Sequence, residues 1–140
     1  MRAGDPAKQA WLSILHVNVT LWGPGVEGFL LGSVDHIILV CETHLPRDKS
    51  DQVLKRWRRA GYRGLAQPAF PTGRSAMGLA AGILILTKED LCAVPVDADL
   101  VESICPDRRR WCAVVVRRRS VSLLLVEAYL VSGLGMTGRT

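Results

Sequence analysis

Three polar side chains lie within or directly after apolar, strand-forming runs of the sequence. Asn18 falls late in the first run, Glu42 directly follows the second, and Tyr129 lies in the last. The carboxylate of Glu42 is suited to a hard cation such as Mg²⁺, which prefers oxygen ligands. The amide of Asn18 can donate to a phosphate oxygen while it accepts a hydrogen bond from a neighbouring group. These residue types suit a site for a metal ion and a phosphate group.

Each of the three also has an ordinary structural interpretation. Glu42 is also typical of the first solvated residue of a loop, and Asn18 of a residue that forms the turn before "LWGPG". By periodicity alone, Tyr129 is a half-buried strand aromatic. Open α/β sheets bind their ligands at the carboxyl ends of their strands, so the position of each residue along its strand decides between the alternatives.

The elements that must position these residues follow from the apolar patterns. Helical spacing predicts a helix near Ser50–Ala60, which Asp48 or Ser50 can cap and Gly61 can end. The piece "VEGFLLG" is helix-like. The segment "KEDLCAVPVDADLVESICPD" is ambiguous, with a weak edge strand followed by a turn as one interpretation, and the Gly- and Pro-rich stretch "GYRGLAQPAFPTGRSAMG" predicts a loop or an irregular edge. Runs of β-branched and apolar residues predict five strands: Trp11–Thr20, Ile37–Cys41, Gly82–Leu86, Cys112–Val116 and Val121–Val131.

Strands that are apolar on both faces indicate an α/β layered fold. In such a fold, Asn18 and Glu42 are expected to end neighbouring strands at the same edge of one sheet. The chain of 140 residues suits one domain or a piece of a larger one, and its 49% hydrophobic content excludes global disorder.

The chain is mildly basic, with 18 Lys and Arg against 13 Asp and Glu. This balance fits an anionic partner but is also common in domains without one. The triplets Arg108–Arg110 and Arg117–Arg119 lie before a strand and in the turn after it, where solvated charges are ordinary. We therefore favour the structural interpretation of these triplets over nucleic-acid binding.

The cysteines and the N-terminus predict an intracellular protein with reduced thiols. The four cysteines show no C-x-x-C pairing, and no histidine lies near Cys105 and Cys112, which disfavours a zinc site there. No signal core is present and no apolar run approaches the ~20 residues of a membrane helix, so no membrane partner is expected. The choice between nucleus and cytoplasm stays open.

The order of the motifs is more specific than any one of them. "HVNVTLWG" precedes a strand that ends in "VCETHL", followed by a helix, the strand "AAGILILT" and a late strand with "EAYL". This series resembles the N-terminal half of the endonuclease/exonuclease/phosphatase superfamily, the DNase I-like fold. The resemblance runs from about Leu12 to Gly135, and "ETHL" is its most specific part and leans towards retroelement-like nucleases. Residues 1–10 are then an N-terminal extension, and residues 11–140 the N-terminal part of such a domain.

The resemblance implies roles for single residues. Glu42 resembles the Mg²⁺-binding glutamate of the superfamily, and Asn18 the asparagine that helps to hold the scissile phosphate. Tyr129 stands where many members have a "YxP" tyrosine, although Val131 occupies the proline position. Catalytic roles are thus expected for Asn18, Glu42 and Tyr129, with Glu42 as the metal ligand, and His44 is a weaker candidate for a phosphate contact.

The chain also departs from the superfamily. Asn18 is the only asparagine, so the Asp-x-Asn motif is absent, and all three histidines precede residue 45, so the C-terminal Ser-Asp-His motif is absent as well. We expect a partial DNase I-like α/β sandwich, with one mostly complete sheet, one or two helices and the second half of the fold missing. An uncovered sheet face near Val114, Val116, Leu123 and Leu125, or their alternates one residue along, is then expected to favour self-association.

Three hypotheses follow. The first is a fragment of a Mg²⁺-dependent phosphodiesterase or endonuclease, inactive alone and binding Mg²⁺ weakly, whose full-length relatives act on nucleic acid or a phosphorylated small molecule. The second is a non-catalytic, basic nucleic-acid-binding module. The third is an unproductive gene fragment.

Overall fold

The computed structural model describes residues 11–73, 78–96, 99, 102–103 and 106–129. The predictions for residues 130 and 131 lie outside these ranges. Two α-helices and nine strands lie within them, in the order β1 (Ile14–Asn18), α1 (Pro24–Leu31), β2 (Ile37–Cys41), α2 (Arg47–Arg59), β3 (Tyr62–Gln67), β4 (Phe70–Pro71), β5 (Leu79–Ala80), β6 (Ile83–Lys88), β7 (Cys92–Pro95), β8 (Trp111–Arg118) and β9 (Val121–Ala128).

The first sheet has the strand order β1-β2-β6-β3. Strands β1 and β2 are parallel, with Ile14 opposite Ile37 and Asn18 opposite Cys41. Helix α1 connects them, because parallel neighbours need a crossover rather than a tight turn. Strands β2 and β3 each pair antiparallel with β6. All five residues of β2 are buried, as their uninterrupted apolar sequence predicts for a central strand.

The helices cover one face of the first sheet. Trp57 of α2 and Leu30 of α1 pack there against Ile38, Val40 and their neighbours. The rings of Trp57 and Tyr62 meet edge to face at 5.0 Å between their centroids. Arg56 of α2 donates to both carboxylate oxygens of Glu27 in α1, at 2.7 and 3.0 Å, and so joins the two helices.

A second sheet covers the other face. Its strands β7, β8 and β9 form an antiparallel meander. Val114 and Val116 of β8 point inwards and pack with Ile37, Ile83 and Ile85 of the first sheet. The expectation that Val114 and Val116 would be uncovered is therefore wrong, because the chain itself supplies these strands of the second layer. The alternates one residue along, Leu124 and Val126, are exposed on the outer face of β9.

Several element predictions are confirmed, namely strand β2, both helices, an edge strand (β7) in the ambiguous segment, and the strands β8 and β9 with a turn between them. The stretch "GYRGLAQPAFPTGRSAMG" contains β3, which lies at the edge of the first sheet, as one of the two predicted alternatives has it, but which is a regular strand paired with β6. Helix α2 begins at Arg47 after Pro46, and no side chain caps it, so the capping roles of Asp48 and Ser50 are wrong. Gly61 follows the helix at a φ of 89°, as expected for a left-handed stop.

None of the helices in the described ranges is both long and apolar enough to cross a membrane.

Candidate active site

Asn18 and Glu42 lie at neighbouring strand ends, as the sequence predicts. Asn18 is the last residue of β1 and stands opposite Cys41, the residue before Glu42. Because β1 and β2 are parallel, their carboxyl ends meet at one edge of the first sheet, with the strands about 4.8 Å apart. The fold therefore brings the amide and the carboxylate to a common edge.

The amide of Asn18 is oriented by its own turn. Its Oδ1 accepts a hydrogen bond from the backbone N of Thr20 at 3.0 Å, and Thr20 has a φ of 62°. This side-chain turn is the structural role that an asparagine before "LWGPG" predicts. It leaves the two N–H donors of the amide, on an exposed side chain, directed away from the turn.

Glu42 begins a loop with unusual backbone angles. Glu42 and His44 have φ values of 59° and 58°, and Ala81, across from them, has a φ of 63°. Such left-handed angles in non-glycine residues cost on the order of 1–3 kcal/mol each and cluster at functional sites. Glu42 is half-buried, and no described residue forms an ion pair with it.

Gly82 holds this loop in place by close approach. Its carbonyl accepts from Thr43 N at 3.0 Å, while the carbonyl of Ala81 accepts from His44 N at 3.0 Å. Gly82 has a φ of 91°, and a Cβ there would overlap Thr43 Oγ1 and lie 2.9 Å from His44 N. Thr43 is itself fully buried, with 1% of its surface exposed. The loop after β2 is thus fixed from both sides.

The structure adds a cluster that the sequence analysis missed. Glu127 of β9 is buried, and its Oε1 lies 2.8 Å from His16 Nε2 on β1. The ligand atoms of His16, Cys41 and Glu127 all lie within 4.8 Å of one another. Residues 16 and 127 are 111 positions apart in the sequence, so no spacing pattern could have paired them. The one available signal was an acid within an otherwise apolar strand.

The surroundings of Cys41 raise the pKa of its thiol. Burial is the main cause that raises the pKa of its thiol to about 12, and the negative charge of Glu127, which accepts a hydrogen bond from it, raises the pKa further. Burial likewise raises the pKa of Cys112, which stands opposite Glu127 in the β8–β9 register, to about 12. With a pKa of about 12, both thiols stay protonated at neutral pH.

Tyr129 directly follows β9, two residues after Glu127. Its backbone N donates to Arg110 O at 2.7 Å, and the Arg110 guanidinium lies 5.7 Å from the centroid of its ring. The half-buried ring packs against the core between the two sheets. Within the described part of the chain its hydroxyl makes no hydrogen bond to Asn18 or Glu42, and its catalytic role stays a prediction.

The comparisons with known proteins rest on structure. No protein-family model matches the sequence, and no curated protein matches it significantly. The endonuclease domain of TRAS1, a telomere-specific non-LTR retrotransposon, matches with a TM-score of 0.56 and 16% identity, over 91% of this chain and 49% of that one. The AP endonuclease LMAP from Leishmania major matches with a TM-score of 0.58 and 18% identity, over 91% of this chain and 43% of that one. Both have the DNase I-like fold.

This chain has part of the DNase I-like fold. The resemblance drawn from the order of the motifs is confirmed at the level of the fold. The chain spans about half the length of these two solved structures, 49% and 43% respectively. The described residues form strands of two facing sheets and a layer of helices on the outside of the first sheet.

The donors at the edge of this DNase I-like fold suit a hard divalent cation. Glu42 offers carboxylate oxygens at a half-buried position without an ion pair among the described residues. Mg²⁺ is bound in proteins through one or two carboxylates and keeps several waters. A single carboxylate is therefore compatible with Mg²⁺, but only with weak binding.

Proposed function

We propose that the chain is the metal-binding half of a nuclease-type phosphodiesterase. The observation that carries this proposal is the placement of Asn18 and Glu42 at the carboxyl ends of adjacent parallel strands in a DNase I-like fold. The two structural neighbours are named as endonucleases, which supports a nucleic acid as the substrate class. The metal, the substrate and the activity of this chain belong to the proposal.

Each residue of the edge has a distinct proposed role. Glu42 is the Mg²⁺ ligand, and its left-handed backbone and the contacts of the loop with Gly82 fix the direction of its side chain. Asn18 donates from its free N–H groups to a phosphate oxygen, because its Oδ1 is held by Thr20 N. When bound, Mg²⁺ supplies electrostatic stabilisation of charge on the phosphoryl and leaving oxygens. Tyr129, directly after β9, is the third residue proposed for this site.

We further propose that these 140 residues alone do not turn over phosphodiesters. The chain has no second asparagine, so it has no Asp-x-Asn to orient a nucleophile, and no histidine after residue 44 to act as a general base. General-base catalysis is worth roughly 10²–10⁴-fold, and the loss of positioning adds several kcal/mol to the barrier. General-base catalysis and positioning contribute separately to the rate, so the two losses combine. The activity of the isolated chain therefore falls below detection.

Metal binding is tested on the isolated chain with Mn²⁺ as a paramagnetic substitute for Mg²⁺. In ¹H–¹⁵N spectra we expect selective broadening of the amides around residues 18 and 42. Glu42→Gln removes this effect, whereas Glu89→Gln, at an exposed acid after β6, retains it. Broadening that is unchanged in Glu42→Gln contradicts the role of Glu42. Broadening that is lost in His16→Ala but kept in Glu42→Gln assigns the ion to the His16 cluster instead.

Catalytic competence is tested by completing the fold. The chain alone, with Mg²⁺, is expected to leave abasic and intact plasmid DNA uncut. A chimaera in which the remaining half of the TRAS1 endonuclease domain follows this chain is expected to cut, and Glu42→Gln in the chimaera abolishes cutting. Cleavage by the isolated chain that disappears in Glu42→Gln would overturn the proposed inactivity. A folded chimaera that cuts equally well with Glu42→Gln would overturn the metal role.

The alternative of a basic nucleic-acid-binding module has less support. Much of the first arginine triplet is neutralised within the chain, since Arg108 pairs with Glu102 and both Arg109 and Arg110 donate to Asp107. Arg118 of the second triplet donates from Nη1 to the carbonyl of Trp11 at 3.1 Å. Charges held in this way leave fewer cations for phosphate contacts.

We also propose self-association through the outer face of the second sheet. Val94 of β7 and Leu124 and Val126 of β9 expose apolar side chains there, each more than 40% accessible. Val94 and Leu124 are both opposite Val115 of β8, so they lie in one row across the sheet. A continuous apolar face of this kind favours contact with a second copy of the chain.

A further inference from the structure

We propose that His16, Cys41 and Glu127 form a zinc-binding site. The three side chains come from β1 and β2 of the first sheet and β9 of the second, and their ligand atoms lie within 4.8 Å of one another. An imidazole nitrogen, a thiol sulfur and a carboxylate oxygen are the three ligand types that proteins use for Zn²⁺. The site is separate in its residues from the proposed Mg²⁺ ligand, Glu42, and does not depend on the proposed function.

The distances between the three ligand atoms are close to those that a tetrahedral ion requires. Zn–N, Zn–O and Zn–S bonds of about 2.0–2.3 Å at tetrahedral angles place ligand atoms about 3.2–3.8 Å apart. The three ligand atoms already lie within 4.8 Å, and His16 Nε2 and Glu127 Oε1 are 2.8 Å apart. Adjustments of under about 1.5 Å, mainly in side-chain torsions, therefore suffice to surround one ion.

The strand register explains why the three side chains converge. Ile37, Leu39 and Cys41 alternate with residues that face the helices, so Cys41 points towards the second sheet. Leu125 and Glu127 of β9 share the inner face of that sheet in the same way. His16 lies on β1 two residues before Asn18, and both side chains are exposed on the face opposite the helices. The sheets thus place one ligand from each of three strands at the open end of the sandwich.

The donor set selects zinc over magnesium. Mg²⁺ demands oxygen ligands in octahedral geometry, whereas a thiolate with an imidazole suits Zn²⁺. Three protein ligands leave a fourth tetrahedral position, which is typical of zinc sites that also bind water or a substrate. The His16 side chain is 55% exposed, so this position is open to solvent.

Burial gives a physical reason for an ion at this point. Glu127 is 4% exposed and Cys41 is 8% exposed, and a carboxylate buried to this extent is costly unless it is paired with a positive charge. A divalent cation supplies that charge to the carboxylate and to the thiolate together. On binding, the thiol proton of Cys41 passes to solvent, and the sulfur donates its lone pair to the ion. The ion then links the two sheets across the core.

The test uses Co²⁺ as a spectroscopic substitute for Zn²⁺ on the reduced, full chain. We expect stoichiometric binding, tetrahedral visible absorption and a thiolate-to-cobalt charge-transfer band, all displaced by Zn²⁺, with a rise in the melting temperature. Cys41→Ser should remove the charge-transfer band. His16→Ala, at an exposed position where folding is least at risk, should weaken affinity by at least the roughly 10–100-fold that loss of a supporting group costs.

Matched controls separate this site from its neighbours. Cys92→Ser replaces an exposed cysteine, His44→Ala replaces a histidine outside the cluster, and Glu42→Gln removes the proposed Mg²⁺ ligand; all three should retain the band. Glu127→Gln should lower affinity while the band stays, because the thiolate is kept. A band that survives Cys41→Ser or disappears in Cys112→Ser would overturn the assignment. Equal affinity in His16→Ala and the unmodified chain, or no binding at all, would overturn it too.

Discussion

At the scale of single residues, Asp107 shows how the arginines of this chain are used. Its Oδ1 accepts from the backbone N of Arg109 at 3.1 Å, and its carboxylate also accepts from the guanidinium groups of Arg109 and Arg110. It thereby caps the short 3₁₀ turn Arg108–Arg110 that leads into β8. The guanidinium groups in turn lie over the ring of Phe70, with Arg109 at 4.3 Å from its centroid. The first arginine triplet is therefore part of the entry to the second sheet.

The first prediction concerns acid stability and follows from Asp107. Hydrogen bonds from Arg109 are the main cause that lowers the pKa of its carboxyl from 3.8 to about 2. The folded chain thus binds fewer protons than the unfolded chain between these values, so this stabilisation is complete above pH 3.8 and is lost as the pH falls towards 2. Denaturant unfolding at a series of pH values measures how the free energy of unfolding changes with pH. In this window Asp107 should contribute a slope that corresponds to less than about one proton.

Asp107→Asn is the matched variant for this prediction. It removes the titrating group, so the pH slope between 4 and 2 should be smaller than in the unmodified chain. Added salt should reduce the difference, because the Arg109 and Asp107 side chains are partly exposed and screened. An identical slope in both chains would assign the acid response to other carboxyls.

The strand-end positions of Asn18 and Glu42 could be predicted from the sequence for a clear physical reason. Asn18 and Glu42 end apolar runs, and strand ends can be read from local patterns of apolar residues. The positions of Glu127 and Tyr129 depend instead on how the second sheet docks onto the first. His16 and Glu127 meet only through that docking, across 111 positions of the sequence. Local periodicity holds no information about such a contact.

At the scale of elements, glycines explain both an ambiguous prediction and a fixed loop. Gly64 left residues 62–67 open between a loop and an irregular edge, and it lies inside the edge strand β3, where helix α2 packs directly over it. A Cβ at Gly64 would overlap the Leu54 side chain and lie 3.0 Å from Leu86 Cδ2. A glycine in a strand often marks such close approach, but the sequence does not reveal what approaches. The predicted strand Gly82–Leu86 starts one residue early, because Gly82 adopts a left-handed conformation before β6 begins.

The second prediction uses Gly82 to test the rigidity of the Glu42 loop. Gly82→Ala introduces a Cβ into contact with Thr43 and His44 at a φ of 91°, so the free energy of unfolding should fall by about 1–3 kcal/mol. Gly28→Ala is the control, since nothing lies within 4 Å of its Cβ position in α1 and alanine favours a helix by about 0.5–1 kcal/mol. Urea unfolding measures both. Equal free energies of unfolding for Gly82→Ala and the unmodified chain would mean that the loop changes its conformation at little energetic cost.

At the scale of the whole molecule, the layers leave one apolar face uncovered. The helices cover the outside of the first sheet and the two sheets cover each other, but among the described residues no helix packs on the outside of the second sheet. Sheets with an apolar face need a further layer.

The third prediction tests self-association through this outer face. We expect sedimentation velocity of the unmodified chain to shift with concentration, because pairing of two copies buries Val94, Leu124 and Val126. The double substitution Leu124→Lys and Val126→Lys places two charges on the face without touching the core, since both side chains are exposed, and should yield a concentration-independent monomer.

Phe29→Lys is the control for this substitution. It changes a side chain that is 73% exposed on α1, on the opposite side of the first sheet, and should leave the association unchanged. Circular dichroism of both variants verifies that the fold is retained. A concentration-independent monomer in the unmodified chain would contradict the proposed contact outright. Dissociation by Phe29→Lys, with association retained in the β9 variant, would move the contact to the helix layer, where Phe29 and Leu31 are also exposed.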